Sequence, residues 1–199
     1  MLRDSGIPTA DWTIARSIED IDYDKIEEMG YPVFIKPNSG GSSVATFKVE
    51  CREDVEDAVR AGLEVDDIVM IEAYLPGDEY TSFVLDGEVY PTIKISSPTG
   101  FFDFESKYST GANAAKEEVV YLEKDLQDQI NKASKAVWDT FYCRAYVRAD
   151  FILSNGSFYV LELNTLPGMT PTSLIPRSAN AKGLSYSELV DKIMETSLK

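Results

Sequence analysis

The stretch AYVRADFILSNGSFYVLELN, residues 145–164, places an Asn-Gly pair, Asn155-Gly156, between two runs rich in β-branched and aromatic residues. Hairpin turns need positive φ at their central residues, which Asn and Gly tolerate, so this pair specifies an antiparallel hairpin. Strand residues two apart share a face. Arg148 and Asp150 therefore share a face of the first strand, and Glu162 and Asn164 share a face of the second. An odd-length or bulged turn near Asn155-Gly156 sets Asp150 opposite Glu162 and Arg148 opposite Asn164, or one pair shifted. A plain two-residue turn sets Asp150 opposite Leu161 instead. In the first register all four polar groups meet on one face. Two carboxylates and an amide oxygen form a hard donor set suited to Mg²⁺ or Mn²⁺, and Arg148 can meet an anion beside them. The competing reading is a salt bridge from Arg148 to Asp150 or Glu162, with Asn164 in a turn.

Elsewhere strands and helices interleave. YPVFIKP (31–37) and ATFKV (45–49) are strands joined by the glycine-serine loop NSGGSSV, and DIVMIEAYL (67–75) is a third. YTSFVLDGEVYPTIKI (80–95) reads as two strands about Asp86-Gly87. EDIDYDKIEEMG is a short acidic helix stopped by Gly30. REDVEDAVRAGLE aligns Val55, Ala58, Val59 and Leu63, and DLQDQINKASKAVWDTF aligns Leu126, Ile130, Ala133, Val137 and Phe141 at the helical period. Helical segments close the chain, YSELVDKIMETSL being the clearer. Residues 96–117 lack a periodic pattern, and loops of that length inside compact domains are uncommon and often functional. The class is α+β or mixed α/β with antiparallel sheets.

The 199 residues contain no histidine. That excludes Ser-His triads and the commonest transition-metal ligand, leaving carboxylates, lysine, arginine and hydroxyls to do any chemistry. A net charge of −15 argues against extended nucleic-acid binding. There is no 18-residue apolar run and no charged-then-apolar leader. Cys51 and Cys143 form no C-x-x-C, so a reducing cytoplasm is the expected location.

Further groups suit a phosphate-bearing ligand. Lys36 ends a strand directly before the glycine-serine loop, whose small residues let backbone N–H groups approach phosphate oxygens. Lys107 puts a second cation in the long loop. Glu72 and Glu79 stand at strand edges, where a carboxylate can accept from a ribose or an adenine.

GIPTADW, YPVFIKPNSGGSSV, FDFESKY, VRADF and LELNTLPGMTPTSL together resemble the D-alanine–D-alanine ligase family of ATP-grasp enzymes. The likeness runs in the family's order over nearly the whole chain and is most specific in the last segment. It covers the family's central and C-terminal domains, and the N-terminal domain has no counterpart. The fold it implies is two α/β subdomains, 1–72 and 73–199, gripping a nucleotide, with the loop 96–117 as a mobile lid. It implies ATP and two Mg²⁺ or Mn²⁺ ions, the metals held by Asp150, Glu162 and Asn164. Lys36, Ser43 and Lys107 would contact phosphates. Glu72 would accept from the adenine amino group, with Ala73, Tyr74, Leu75 and Ile152 lining the base and Glu79 on the ribose. Arg148 and the Gly168 N–H would form the oxyanion site, and Ser173 and Leu174, with Arg148, would hold the second D-alanine. Ser42 and Tyr108 would clasp the loop over the site. Ala45 stands where relatives usually carry Gly, and Tyr108 follows the dipeptide-forming pattern.

The implied activity joins two D-alanines through an acyl phosphate for peptidoglycan synthesis. The partners are small molecules, with no nucleic acid and no membrane, and the family allows a homodimer for the parent enzyme. The chain is expected to be a fragment, inactive in ligation by itself. The alternatives are another ATP-grasp ligase, such as a D-alanine–D-lactate ligase, and a nucleotide-binding module without catalysis.

Overall fold

The computed structural model describes residues 1–41, 43–96 and 116–199. Its described residues form two compact units. The smaller is Ala10–Leu75, and the larger comprises Met1–Thr9, Pro76–Ser96 and Lys116–Lys199. The sequence reading drew a single boundary at 72/73. Here the chain passes between units at Leu75/Pro76, and its first nine residues go with the later part.

The smaller unit is a four-stranded antiparallel sheet in the order β1 (Trp12–Ala15), β4 (Val69–Ala73), β2 (Val33–Pro37), β3 (Phe47–Val49). Helices α1 (Tyr23–Met29) and α2 (Val55–Leu63) belong to this unit. Alternation puts Ala15, Val33, Ile35, Val49, Val69 and Ile71 on its inner face, where they pack with Ile26, Val55, Ala58 and Val59. The predicted apolar face of α2 is thus the buried one. The acidic helix starts later than its sequence suggests: Asp22 accepts the Lys25 N–H at 2.9 Å and caps α1. Gly30 ends it at φ 77°. Strand β1 was not anticipated; its four residues are too few and too mixed to show a period.

The larger unit holds a second antiparallel sheet in the order β10 (Ser157–Asn164), β9 (Tyr146–Ser154), β5 (Asp78–Leu85), β7 (Ile93–Ser96), β8 (Lys116–Val119), with β6 (Glu88–Val89) also on β5. The expected pair of strands about Asp86-Gly87 is therefore three. Pro91, with no N–H for a ladder, falls in the break between β6 and β7.

One face of this sheet packs on α3 (Lys124–Thr140). Ile130 and Val137 meet Tyr80, Ala149, Phe151, Phe158 and Val160, together with Ile7 from the chain's start. Phe158 sits edge-on to Tyr80 and Phe151, with ring centroids at 5.3 and 6.1 Å. Burying a side chain the size of Phe151 contributes about 2–3 kcal/mol. On the opposite face Phe83, Leu85 and Tyr90 pack against Ile175 and Ala179 of α4 (Leu174–Ala181) and Leu189 of α5 (Tyr186–Ser197). Ser185 and Glu188 cap α5 reciprocally. At the sheet's β10 edge, Pro8 accepts the Val160 N–H at 2.8 Å and the Thr9 hydroxyl donates to the Val160 carbonyl at 2.9 Å. Part of that edge is thereby covered.

Candidate functional site

Asn155 and Gly156 form a plain two-residue turn with φ of 49° and 77°, and Ser154 pairs with Ser157. Pairing then runs regularly to Phe151↔Val160. It shifts by one at Leu161 and resumes as Asp150↔Glu162, Ala149↔Leu163 and Arg148↔Asn164. The expected register is present, but the irregularity lies in the strand and not near the turn, which corrects the sequence reading. A bulge re-aims the side chains beside it. Here it leaves Glu162 and Asn164 on the face of Arg148 and Asp150, while Val147, Ala149, Phe151 and Val160 stay buried.

The four side chains form one network. Arg148 grips both oxygens of Asp150, Nε–Oδ1 at 2.9 Å and Nη2–Oδ2 at 2.6 Å. The Asn164 amide nitrogen donates to Asp150 Oδ2 at 3.1 Å and to Glu162 Oε1 at 3.0 Å. The Asp150 side chain is 5% exposed and that of Arg148 18%. Burial works against the charge on Arg148. The Asp150 carboxylate, supported by Glu162 and Glu79, outweighs it, and the guanidinium pKa lies above its ordinary value. The competing reading, an Arg148–Asp150 salt bridge, is therefore present alongside the gathered ligand set.

Among the described residues no cluster of three or more His, Cys, Asp or Glu is arranged as a metal site. A cation here would need the amide as well as the carboxylates. The set fits one, because a single small donor, the Asn164 amide, already bridges both carboxylates. Turned over, it would offer an oxygen at that place.

Other candidates of the larger unit lie nearby in the sheet or follow β10. Ile152 is on the Asp150 face of β9, opposite Glu79 of β5. Gly168 is in the loop after β10. A Cβ there would be 3.4 Å from Ser173 Oγ, an ordinary contact. Ser173 Oγ accepts the Thr170 N–H at 3.0 Å and pairs with the Thr170 hydroxyl at 2.8 Å, and Leu174 opens α4. The Tyr186 hydroxyl, absent from the sequence reading, donates to the Met169 carbonyl at 2.7 Å and pins this loop to α5.

In the smaller unit Glu72 lies in β4 between Trp12 of β1 and Phe34 of β2, on the face turned from the core. Lys36, two residues past Phe34, shares that face, and its Nζ is 2.7 Å from Glu72 Oε2. Tyr74 meets Phe34 edge-on at 5.8 Å and lies under Lys48 Nζ at 4.8 Å. Asp11 and Pro32 carbonyls accept the Ala73 and Tyr74 N–H groups, so neither amide is available to a ligand. Of the candidates, Ser42, Lys107 and Tyr108, and all but the ends of the expected lid 96–117, lie outside the described residues.

Ser43 and Ala45 take positive φ, 57° and 52°. Such a conformation favours glycine and costs Ala about 1 kcal/mol. Gly41 differs: its φ is ordinary and, among the described residues, a Cβ there would meet nothing within 4 Å. Neither conformation nor internal packing requires glycine at that position.

The base of the loop is fixed by Asp66, which accepts the Ser39 N–H at 2.5 Å and the Ile68 N–H at 3.3 Å. No local signal marks Asp66, 27 residues from Ser39. The Ser39 N–H holds the Asp66 pKa below its ordinary value. The anchor is thus fully present above the ordinary aspartate pKa and is lost as pH falls through the lower folded value. The Ser39 amide proton shift is expected to titrate with an inflection below the ordinary aspartate range, and to show none in Asp66→Asn. A flat Ser39 profile in the unsubstituted chain would remove the anchor.

The family model described as D-ala D-ala ligase C-terminus matches residues 1–195. The chain is 48% identical over all 199 residues to D-alanine–D-alanine ligase B of Clostridium perfringens and spans 65% of that protein's length. It is 47% identical to a Clostridium botulinum D-alanine–D-alanine ligase, spanning 66%. The crystal structure of the Bacillus anthracis D-alanine–D-alanine ligase aligns with a TM-score of 0.87 at 41% identity, over 99% of this chain and 64% of that one. The same enzyme complexed with ATP aligns at 0.85 and 38% identity, over 99% and 62%. The chain therefore belongs to the D-ala D-ala ligase C-terminus family and carries that family's α+β fold.

Proposed function

We propose that the chain supplies the nucleotide, metal and acceptor groups of an ATP-dependent D-alanine–D-alanine ligase that makes a cytoplasmic precursor of peptidoglycan. The observation that carries this reading is the Leu161 bulge, which gathers Arg148, Asp150, Glu162 and Asn164 on one sheet face in a chain of that family. The ATP complex of the Bacillus anthracis relative supports the nucleotide.

In this reaction the carboxylate of one D-alanine attacks the γ-phosphorus of ATP, the bond to ADP breaks, and an acyl phosphate forms. The amine of the second D-alanine attacks the acyl carbon, loses a proton, and phosphate leaves. Phosphoryl transfer asks mainly for positioning and charge neutralisation, so it needs no histidine. Lys36, Ser43 and Lys107 serve the phosphates. Glu72 accepts from the adenine amino group, Glu79 from the ribose, and Ile152 lines the base. Asp150, Glu162 and Asn164 hold Mg²⁺ or Mn²⁺, two ions in the full reading, which supply Lewis-acid neutralisation of phosphate charge. Arg148 and the Gly168 N–H face the developing oxyanion, a role worth about 3 kcal/mol. Ser173 and Leu174 hold the acceptor, and Tyr186 keeps their loop in place.

Titration calorimetry of the chain with ATP and Mg²⁺ tests the nucleotide assignment, and an acceptor panel of D-alanine and D-lactate with phosphate readout on the full-length parent ligase tests the substrate. No heat at millimolar ATP would sink the proposal. Gly41→Ala separates ligand from fold. Its thermal midpoint is expected to stay unchanged, while Mg-ATP binds on the order of tenfold more weakly, about 1.4 kcal/mol. Unchanged affinity would place the phosphates elsewhere.

A further inference from the structure

We propose that Arg148 is an exchange residue: it holds Asp150 while the carboxylates lack a metal, and releases it when a divalent cation binds, freeing its guanidinium for an anion. The inference rests on reading Asp150, Glu162 and Asn164 as metal ligands. Asp150 accepts three hydrogen bonds, two from Arg148 and one from Asn164. An ionised carboxylate offers about four acceptor sites, so little of Asp150 is left for a cation. Its side chain is almost wholly buried, and so is most of Arg148. Neither charge can stand unpaired in that setting without a large cost. Turning over the Asn164 amide frees one site on Oδ2 and leaves the two that Arg148 holds, so a cation that draws on both oxygens of Asp150 displaces Arg148. Like charges crowded together in a poorly solvated place repel, which drives the guanidinium away. Once displaced, Arg148 has to find another anion.

Metal binding and anion binding then assist each other, because each removes the partner the other must displace. The smaller unit repeats the arrangement independently, with Lys36 resting on Glu72 at 2.7 Å. In both units a candidate anion-binding cation is paired with a candidate ligand carboxylate.

Two measurements on the 199-residue chain test the exchange. In the ¹⁵N-labelled protein the Arg148 Nε–H resonance is expected to move and lose its protection as Mg²⁺ is added. If the Glu162 and Asn164 amide resonances shift with Mg²⁺ while the Arg148 resonance does not, the exchange is overturned and the metal site stands. By electron paramagnetic resonance of free Mn²⁺, Arg148→Met is expected to bind Mn²⁺ about tenfold more tightly without nucleotide, and to lose the extra tightening that ADP gives the unsubstituted chain. Equal or weaker Mn²⁺ affinity in Arg148→Met overturns the exchange. Absence of Mn²⁺ binding by the unsubstituted chain overturns the metal reading itself. The resonance experiment needs no substitution, so it decides the matter even where Arg148→Met does not fold.

Discussion

Asp150→Ala is expected to destabilise the chain by about 3 kcal/mol, because removing one member of a buried ion pair leaves the other uncompensated. Arg148 would keep only the more distant charges of Glu162 and Glu79. The value is set at the lower end of the usual range because those two carboxylates remain. With a urea m-value of about 2 kcal/mol/M, the midpoint would fall by about 1.5 M. A double substitution distinguishes charge from packing. Arg148→Met with Asp150→Leu removes both charges and refills the space, and such replacements are often neutral. The double variant is expected to recover most of the loss and to bind no divalent cation. If Asp150→Ala unfolds at the same urea concentration as the unsubstituted chain, the pair is solvated and the account of Arg148 fails with it.

That pair shows how far the sequence could be read. Asn155-Gly156 announced a hairpin, and the two-residue spacings R-x-D and E-x-N announced one shared face, because both signals are local. The bulge at Leu161 was hidden. A leucine in an apolar run looks the same whether it pairs or bulges, so the shift was assigned to the turn, where parity arguments place it by default. The break at Pro91 was visible only as a proline inside an apolar run. Strand β1 is too short for a period, and Trp12 and Ile14 acquire their alternation only from pairing with β4. Lys36 and Glu72 stood out separately in the sequence. That they grip each other depends on the β2–β4 register, which brings residues 36 apart together. Asp66 under Ser39 and Tyr186 on Met169 are single long-range hydrogen bonds, and no pattern of neighbours encodes them.

Gly77→Ala is expected to cost about 3 kcal/mol, the upper end for inserting a methyl group into a full space. Gly77 precedes β5, where Asp78 pairs with Leu153 of β9. A Cβ on Gly77 would run into the Leu153 carbonyl oxygen, with the carbonyl carbon at 2.8 Å and Ile152 Cγ2 at 3.3 Å. A flexible side chain could swing away, but a carbonyl in the middle of a sheet cannot. β9 is held on one side by β10 and on the other by β5, so relief would mean breaking ladder hydrogen bonds beside Ile152 and Asp150. Gly6→Ala is the matched control. Gly6 has φ 68° and ψ 19°, in the left-handed helical region, and no described atom near a would-be Cβ, so its penalty is conformational alone, about 1 kcal/mol. Steric exclusion by backbone should therefore exceed backbone strain by about 2 kcal/mol in paired urea titrations. It should also weaken Mn²⁺ binding in the Gly77→Ala chain only, since that clash, at Leu153, lies three residues from Asp150 on the same strand. Equal midpoints for the two variants would mean that β5 and β9 do not approach each other at Gly77 as closely as described.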